Sequence, residues 1–372
     1  MRFKLKEYFP PRFDAPELAL APDAKLAPAP LDGVAPEEYH STSIFPEYFK
    51  VGGQWLLAKE SRMDCVAVYK NDEIAIVEFR RLKKGDPVFV GRAEDGSQGI
   101  YVHPNGFSDN PDAGGAGFAG GESFVFRQGR SRETAFSMDY DFLYEQLRYE
   151  KEHGYIVWVA GPACTFDADS RNAFSRLCEH GFVHALLAGN ALAVHDLEGA
   201  YKKSALGQDL YTQESYPNGH YNHLDTINRV RQCGSIPAFI KQEGISDGIL
   251  YQCVKKGIPY ILTGSIRDDG PLPEVFADVY AGQNAMREHI SKATTLIGMA
   301  TALHSIAAGN IAPSFRVMND GLIRPVYFYL VDISEFTANK LNDRGSLSAK
   351  SIITNVQDFI VHTSKNLIPG GF

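Results

Sequence analysis

The chain has 372 residues, 44% hydrophobic and 22% charged, a globular balance that excludes collagen-like, mucin-like and wholly disordered chains. With 37 lysines and arginines against 45 acids, the net charge is -8, and no basic run is present to grip nucleic-acid phosphates or an anionic membrane. No apolar stretch approaches the roughly 20 residues that span a bilayer, and the start lacks a signal-peptide core, so a cytoplasmic protein of about two domains is expected. Cys65, Cys164, Cys178, Cys233 and Cys253 are odd in number, widely spaced and free of C-x-x-C pairs, which points to buried thiols rather than disulfides or zinc. The closest histidine pair, His220 and His223, is too common a spacing to predict a metal, and none is expected.

In chain order, residues 1–37 are rich in proline and alanine and read as an extended arm. Residues 38–140 read as a smaller, mainly-β domain. Short runs such as Cys65-Val66-Ala67-Val68-Tyr69, Ile74-Ala75-Ile76-Val77 and Pro87-Val88-Phe89-Val90 alternate there with turns such as Lys84-Gly85-Asp86-Pro87. The glycine-rich stretch 105–121 reads as a loop, and such loops usually carry no function; as a flap it would cover a site.

Residues 141–372 alternate apolar runs with helical patterns, the signature of a parallel α/β domain. Strands are predicted over 155–160, 183–188, 259–263, 295–299, 326–331 and 352–354. Helices are predicted over 170–180 (with Asp169 or Ser170 as N-cap), 224–233, 247–256 and 334–343. The fold class is therefore α/β: a Rossmann-like parallel sheet preceded by a smaller mainly-β domain.

Open α/β sheets bind ligands beyond the carboxyl ends of their strands. Small or polar residues stand there after apolar runs: Gly161-Pro162-Ala163, Gly189-Asn190-Ala191, Gly264-Ser265-Ile266-Arg267-Asp268-Asp269-Gly270, and Asp332. Glycines admit a phosphate to the backbone, and a strand-end acid can hold ribose hydroxyls. Each alone could be a turn or cap; four on one edge favour a nucleotide cofactor, although no G-x-G-x-x-G follows a predicted strand. Arg267 suits a carboxylate, and the adjacent acids Asp268 and Asp269 suit an ammonium or a proton transfer. His195 with Asp196 is either a relay or a helix-start acid. His304 and Ser305, before Gly309-Asn310, are weaker candidates, and Cys253 reads as packing.

Two long runs carry a resemblance. Leu186-Leu187-Ala188-Gly189-Asn190-Ala191-Leu192-Ala193-Val194-His195-Asp196-Leu197-Glu198 and Leu262-Thr263-Gly264-Ser265-Ile266-Arg267-Asp268-Asp269-Gly270-Pro271-Leu272-Pro273 closely resemble the archaeal-type ornithine cyclodeaminase family. That family is also similar to the carboxy-terminal part of the cyanobacterial arginine dihydrolase/ornithine cyclodeaminases. Shorter matches include His223-Leu224-Asp225, Met286-Arg287-Glu288-His289, His304-Ser305-Ile306, Val331-Asp332-Ile333 and Ser41-Thr42-Ser43.

The resemblance implies NAD held without the usual glycine fingerprint, and redox-neutral conversion of ornithine, or a related diamino acid, to proline and ammonia. It makes Asn190, Ser265, Asp332 and Asn310 cofactor contacts, joined as candidates by Gly161, Pro162, Gly189, Ala191, Gly264, His304 and Gly309. Arg267 or Arg231 would bind the substrate carboxylate, and Asp268, Asp269 and His195 would move protons, with Asp196 orienting His195. The expected partner is a small amino acid, and the expected assembly is a homo-oligomer. An NAD(P)-dependent amino-acid or opine-type dehydrogenase and a non-catalytic nucleotide or amino-acid sensor are the alternatives. The sequence departs from the family at its shortened start, at the 105–121 insertion and at Asn355, where aspartate is commoner; with no guanidine-removing domain expected, arginine hydrolysis is not expected of this chain.

Overall fold

In the computed structural model, which describes residues 3–107, 137–266, 268, 270–334 and 347–370, part of the leading arm is built into a sheet. After a short helix α1 (Pro16–Ala19), strand β1 (Lys25–Pro28) pairs antiparallel with β7 (Pro87–Val90), Lys25 opposite Val90. The arm is extended as expected, but this piece is a sheet edge rather than a linker. A proline is tolerated there because an edge strand need not donate on both sides.

The other strands of that sheet are β5 (Cys65–Lys70) and β6 (Glu73–Glu78), in the order β1-β7-β5-β6. A second sheet joins β2 (Glu47–Val51), β3 (Gln54–Leu57) and β8 (Ile100–Val102). Phe49, Phe89, Ile100 and Ala67 close a core between them. Strand β4 (Glu60–Ser61) pairs with β16 (Phe315–Val317), which forms a hairpin with β17 (Ile323–Pro325). The β module is thus stitched to the rest of the chain by backbone hydrogen bonds.

Helix α2 (Ser137–His153) leads into the α/β part. Its parallel strands are β9 (Ile156–Ala160), β10 (Ala185–Gly189), β13 (Tyr260–Thr263), β14 (Val275–Phe276), β15 (Thr295–Met299), β18 (Tyr327–Asp332) and β19 (Ala349–Ile353). Their spatial order is β14-β13-β10-β9-β15-β18-β19. Apart from the short edge strand β14, this is the doubly wound order in which the first strand lies centrally and the chain reverses direction beside it. A small hairpin, β11 (Ser204–Ala205) with β12 (Gln208–Asp209), lies within the crossover from β10 to β13.

Alternation along the strands explains their unbroken apolar runs. Ile156, Trp158, Ala160, Leu186 and Ala188 face α3 (Ala168–Glu179), α4 (Asn190–Lys202), α7 (Ile249–Lys256) and the last helix, α10 (Val356–Leu367). Val157, Val159, Ala185 and Leu187 face α8 (Val279–Ile290) and α9 (Ala302–Ile311). Both faces are covered, so both residue parities must be apolar. Two further helices, α5 (His220–Cys233) and α6 (Ile236–Gln242), pack on the first side.

Helix boundaries move by a turn or less from the sequence reading. Asp167, not Asp169 or Ser170, caps α3, because its extended backbone lets the carboxylate accept from Ser170 N at 3.0 Å. The expected helix over 334–343 and the glycine-rich loop beyond residue 107 lie outside the described residues.

Candidate active site

The chain reverses across the sheet between β9 and β15, and a cleft of about 480 Å³ opens at their carboxyl ends. It is lined by Gly161 and Pro162 after β9, Gly189, Asn190 and Ala191 after β10, Thr263, Ser265 and Asp268 around the end of β13, and Ala300, Thr301 and His304 after β15. Gly161 donates its N–H to Met299 O at 2.9 Å, and a Cβ added there would overlap the Ala300 carbonyl oxygen. One glycine thus lets two strand-end turns pass backbone against backbone. At Gly189 an added Cβ would stand 3.0 Å from His304 Cε1, so this glycine leaves room for the imidazole.

His304 enters from the first turn of α9. Its Nδ1 lies 3.0 Å from Thr301 Oγ1. Burial pulls its pKa below the ordinary value, opposed by the Thr263 backbone carbonyl and the Asp268 charge. The ring is therefore neutral near pH 7, with Thr301 Oγ1–H suited to donate to Nδ1. Asp268 is held by a tight turn: its Oδ2 accepts from Ser265 N at 2.7 Å, and its own N–H donates to Ser265 O at 3.0 Å. Asn190 Oδ1 accepts from Leu272 N at 3.0 Å, tying the start of α4 to this loop. Gly264 sits beneath the loop, its N–H donating to Phe276 O at 2.9 Å. Arg231, on α5, lies against Gly270, which brings one expected carboxylate ligand to the loop that carries Asp268. Arg267 and Asp269 lie outside the described residues.

Other expected residues stand elsewhere. Asp196 is 1% exposed, and its carboxylate accepts from Arg171 Nε at 2.8 Å, Ile249 N at 3.0 Å and Leu250 N at 2.7 Å. It pairs a buried guanidinium and caps α7, so it cannot orient His195; successive helical residues point about 100° apart. The partner of His195 is Glu198, one turn on, with Oε2 3.0 Å from Nδ1. Glu198 is fully buried and also accepts from Ser204 Oγ at 2.7 Å. His195 packs edge-on to Phe166 and near His223, outside the lining of the cleft. The His-x-x-Glu spacing, which puts both side chains on one helical face, is the signal in the sequence for Glu198.

Gly309 and Asn310 lie at the far end of α9 and line a different cavity. Six residues at about 1.5 Å rise carry Asn310 roughly 9 Å along the axis from His304. Asp332 ends β18, with β15 between it and β9, and its Oδ1 accepts from Ser334 N at 2.8 Å; it does not line the cleft. Cys253 is fully buried beside Cys178. Conversely Thr263, Ala300 and Thr301 line the cleft without having stood out in the sequence, where they read as ordinary strand-end residues.

Comparison with known proteins bears on the family and the fold. The family model for the Rossmann-fold C-terminal region of ArgZ-like arginine dihydrolases matches residues 143–363. The ornithine cyclodeaminase of Methanothermobacter thermautotrophicus is 37% identical over 340 residues, 91% of this chain and 77% of that protein. The crystal structure of a conserved putative LOR/SDH protein from Methanococcus maripaludis superposes with a TM-score of 0.82 at 32% identity, covering 93% of this chain and 98% of the other. A ternary complex of AgrE with ornithine and NAD+ superposes with a TM-score of 0.57 at 30% identity, covering 94% of this chain and 46% of AgrE. AgrE is the bifunctional arginine dihydrolase/ornithine cyclodeaminase of a Nostoc species. The chain belongs to the archaeal ornithine cyclodeaminase family, LOR/SDH-like and related to the C-terminal part of ArgZ and AgrE.

Proposed function

We propose that the chain is an NAD-dependent ornithine cyclodeaminase, converting L-ornithine to L-proline and ammonia. The observation that carries this reading is that His304 and Asp268 line one cleft at the switch point of the sheet. The residues present fit NAD. Helices α4 and α9 both start at the cleft, and neither has a side-chain cap, so their free N–H groups and positive ends suit phosphate oxygens. Gly161 and Gly189 keep Cβ atoms out of the same space. Gly161, Gly189, Asn190, Ala191, Ser265 and Thr301 would hold the cofactor, which when bound supplies a reversible two-electron oxidation at the substrate α-carbon.

The chain's own groups do the rest. Arg231, which lies against Gly270, holds the substrate carboxylate. His304 takes the proton of the α-ammonium at Nδ1, where Thr301 now sits, and Asp268 stabilises the imidazolium that results. The proton returns to the leaving ammonia. A sheltered cleft keeps water from the imine on which the side-chain amine closes. Purified protein given ornithine and NAD is expected to release proline and ammonia in equal amounts without accumulating NADH. Stoichiometric NADH would mean a simple dehydrogenase, and absence of proline would end the cyclodeaminase reading. Lysine and 2,4-diaminobutyrate, read by product mass, define the substrate range.

A further inference from the structure

A second cavity, of about 380 Å³, lies where the β module meets α8 and α9. Arg62, Arg80 and Arg287 line it, together with Glu78 and the Asn310 expected at the cofactor. Arg62 is 6% exposed and Arg287 9%, so two of these arginines are buried residues. Burying a cation without a full complement of acceptors is costly.

The two buried arginines are not equally satisfied. Arg62 is well satisfied, by Glu78 at 2.8 Å, Ile311 O at 2.9 Å and Cys65 Sγ at 3.3 Å. Arg287 shares the same Glu78 Oε1 through Nη1, and its Nε is buried with no acceptor. Arg81 reaches only to 4.0 Å from the other Glu78 oxygen. Burial depresses the Arg287 pKa, and the like charges of Arg62, Arg81 and Arg80 add to this, against the pull of Glu78. At the mouth, Arg80 lies over the Tyr280 ring, 4.9 Å from its centroid, with Nη2 on Gln283 and Asn284. Glu78 is thus shared as the near counter-charge of two buried arginines, with Glu60 3.9 Å from Arg62 and Asp64 also on the lining, while open volume remains beside Arg287.

We infer that this cavity binds a small multivalent oxyanion, of the phosphate or polycarboxylate type, held by Arg287 and Arg80. Such an anion bridges the two parts of the chain and stabilises their junction by mass action. The site is separate from the cleft, so it stands whether or not NAD binds there.

The test is thermal unfolding and calorimetric titration of the full chain with inorganic phosphate, pyrophosphate or citrate, at ionic strength held constant with chloride and with NAD in excess to occupy the cleft. Saturable stabilisation by at least one anion is expected in the parent chain. Arg287→Gln and Arg80→Gln are expected to weaken it by about tenfold or more, whereas Lys59→Gln, at an exposed pair with Glu73, leaves it unchanged. Phosphate and citrate arms separate a phosphorylated ligand from a polycarboxylate. If Arg287→Gln does not fold, the exposed Arg80→Gln carries the test. Equal responses in parent and arginine variants, or no saturable response to any of the three anions, would overturn the proposal.

Discussion

Helix α9 connects two polar sites of different construction. Its first turn brings Thr301 and His304 into the cleft at the strand ends, and its last turn brings Gly309 and Asn310 to the arginine cavity under the β module. In the cleft, turns of a few residues each follow directly on a strand, and the backbone itself makes the site. In the cavity, side chains from Arg62, Glu78, Arg80 and Arg287 converge from stretches far apart in the chain. Groups in the cleft line open space, while in the cavity two buried arginines crowd around Glu78. The first arrangement suits chemistry on a bound molecule. The second suits a junction whose stability a ligand can set.

The sharpest way to break this contrast is to exchange function for framework. His304→Ala is expected to lower turnover by about 10²–10⁴-fold with little change in unfolding midpoint, measured as kcat alongside thermal melting. Asp196→Ala should do the reverse. It leaves buried Arg171 only its pair with the more exposed Asp247 and uncaps α7, at a cost of about 3 kcal/mol, read by urea denaturation; if Asp196→Ala instead abolished turnover in a stably folded chain, its placement in the framework would be wrong. Next in size is Gly161→Ala. The added methyl meets the Ala300 carbonyl, so a stability loss of about 1–3 kcal/mol is expected together with loss of NAD binding followed by cofactor fluorescence. Unchanged NAD affinity would separate this turn from the cofactor.

How much of this was legible follows the same division. The doubly wound sheet could be read because each strand is an apolar run and each turn a local glycine or acid, as at Gly161, Gly189 and Gly264. Asp268 and His304 were picked out singly for the same reason, yet their proximity could not be, since 36 residues and a crossover helix separate them in the chain. Adjacent placement misled with His195 and Asp196, because neighbouring helical positions diverge while His195 and Glu198 share a face. The arginine cavity left no local signal at all. Its charges come together only when β4 pairs with β16 and the β module seats on α8 and α9.

The smallest expected effect concerns acid stability. Burial depresses the pKa values of His103, His184, His289 and His304 below the ordinary 6.5. Each therefore binds a proton more readily unfolded than folded, so stability is fully present above about pH 6.5 and is lost as pH falls through the lower folded values. Denaturation midpoints measured from pH 7.5 to 5 should decline, and His304→Gln should flatten part of that slope. A midpoint that rose on acidification would contradict the burial assigned to these rings.

The central claim is that the cleft carries out oxidation and re-reduction at one carbon without net redox change. Ornithine deuterated at the α-carbon tests it most directly, with unlabelled NAD and the product examined by mass spectrometry. Deuterium retained at C2 of proline, with no labelled NADH accumulating, is the result the account predicts. Proline lacking the label, or label appearing stoichiometrically in NADH, would contradict it.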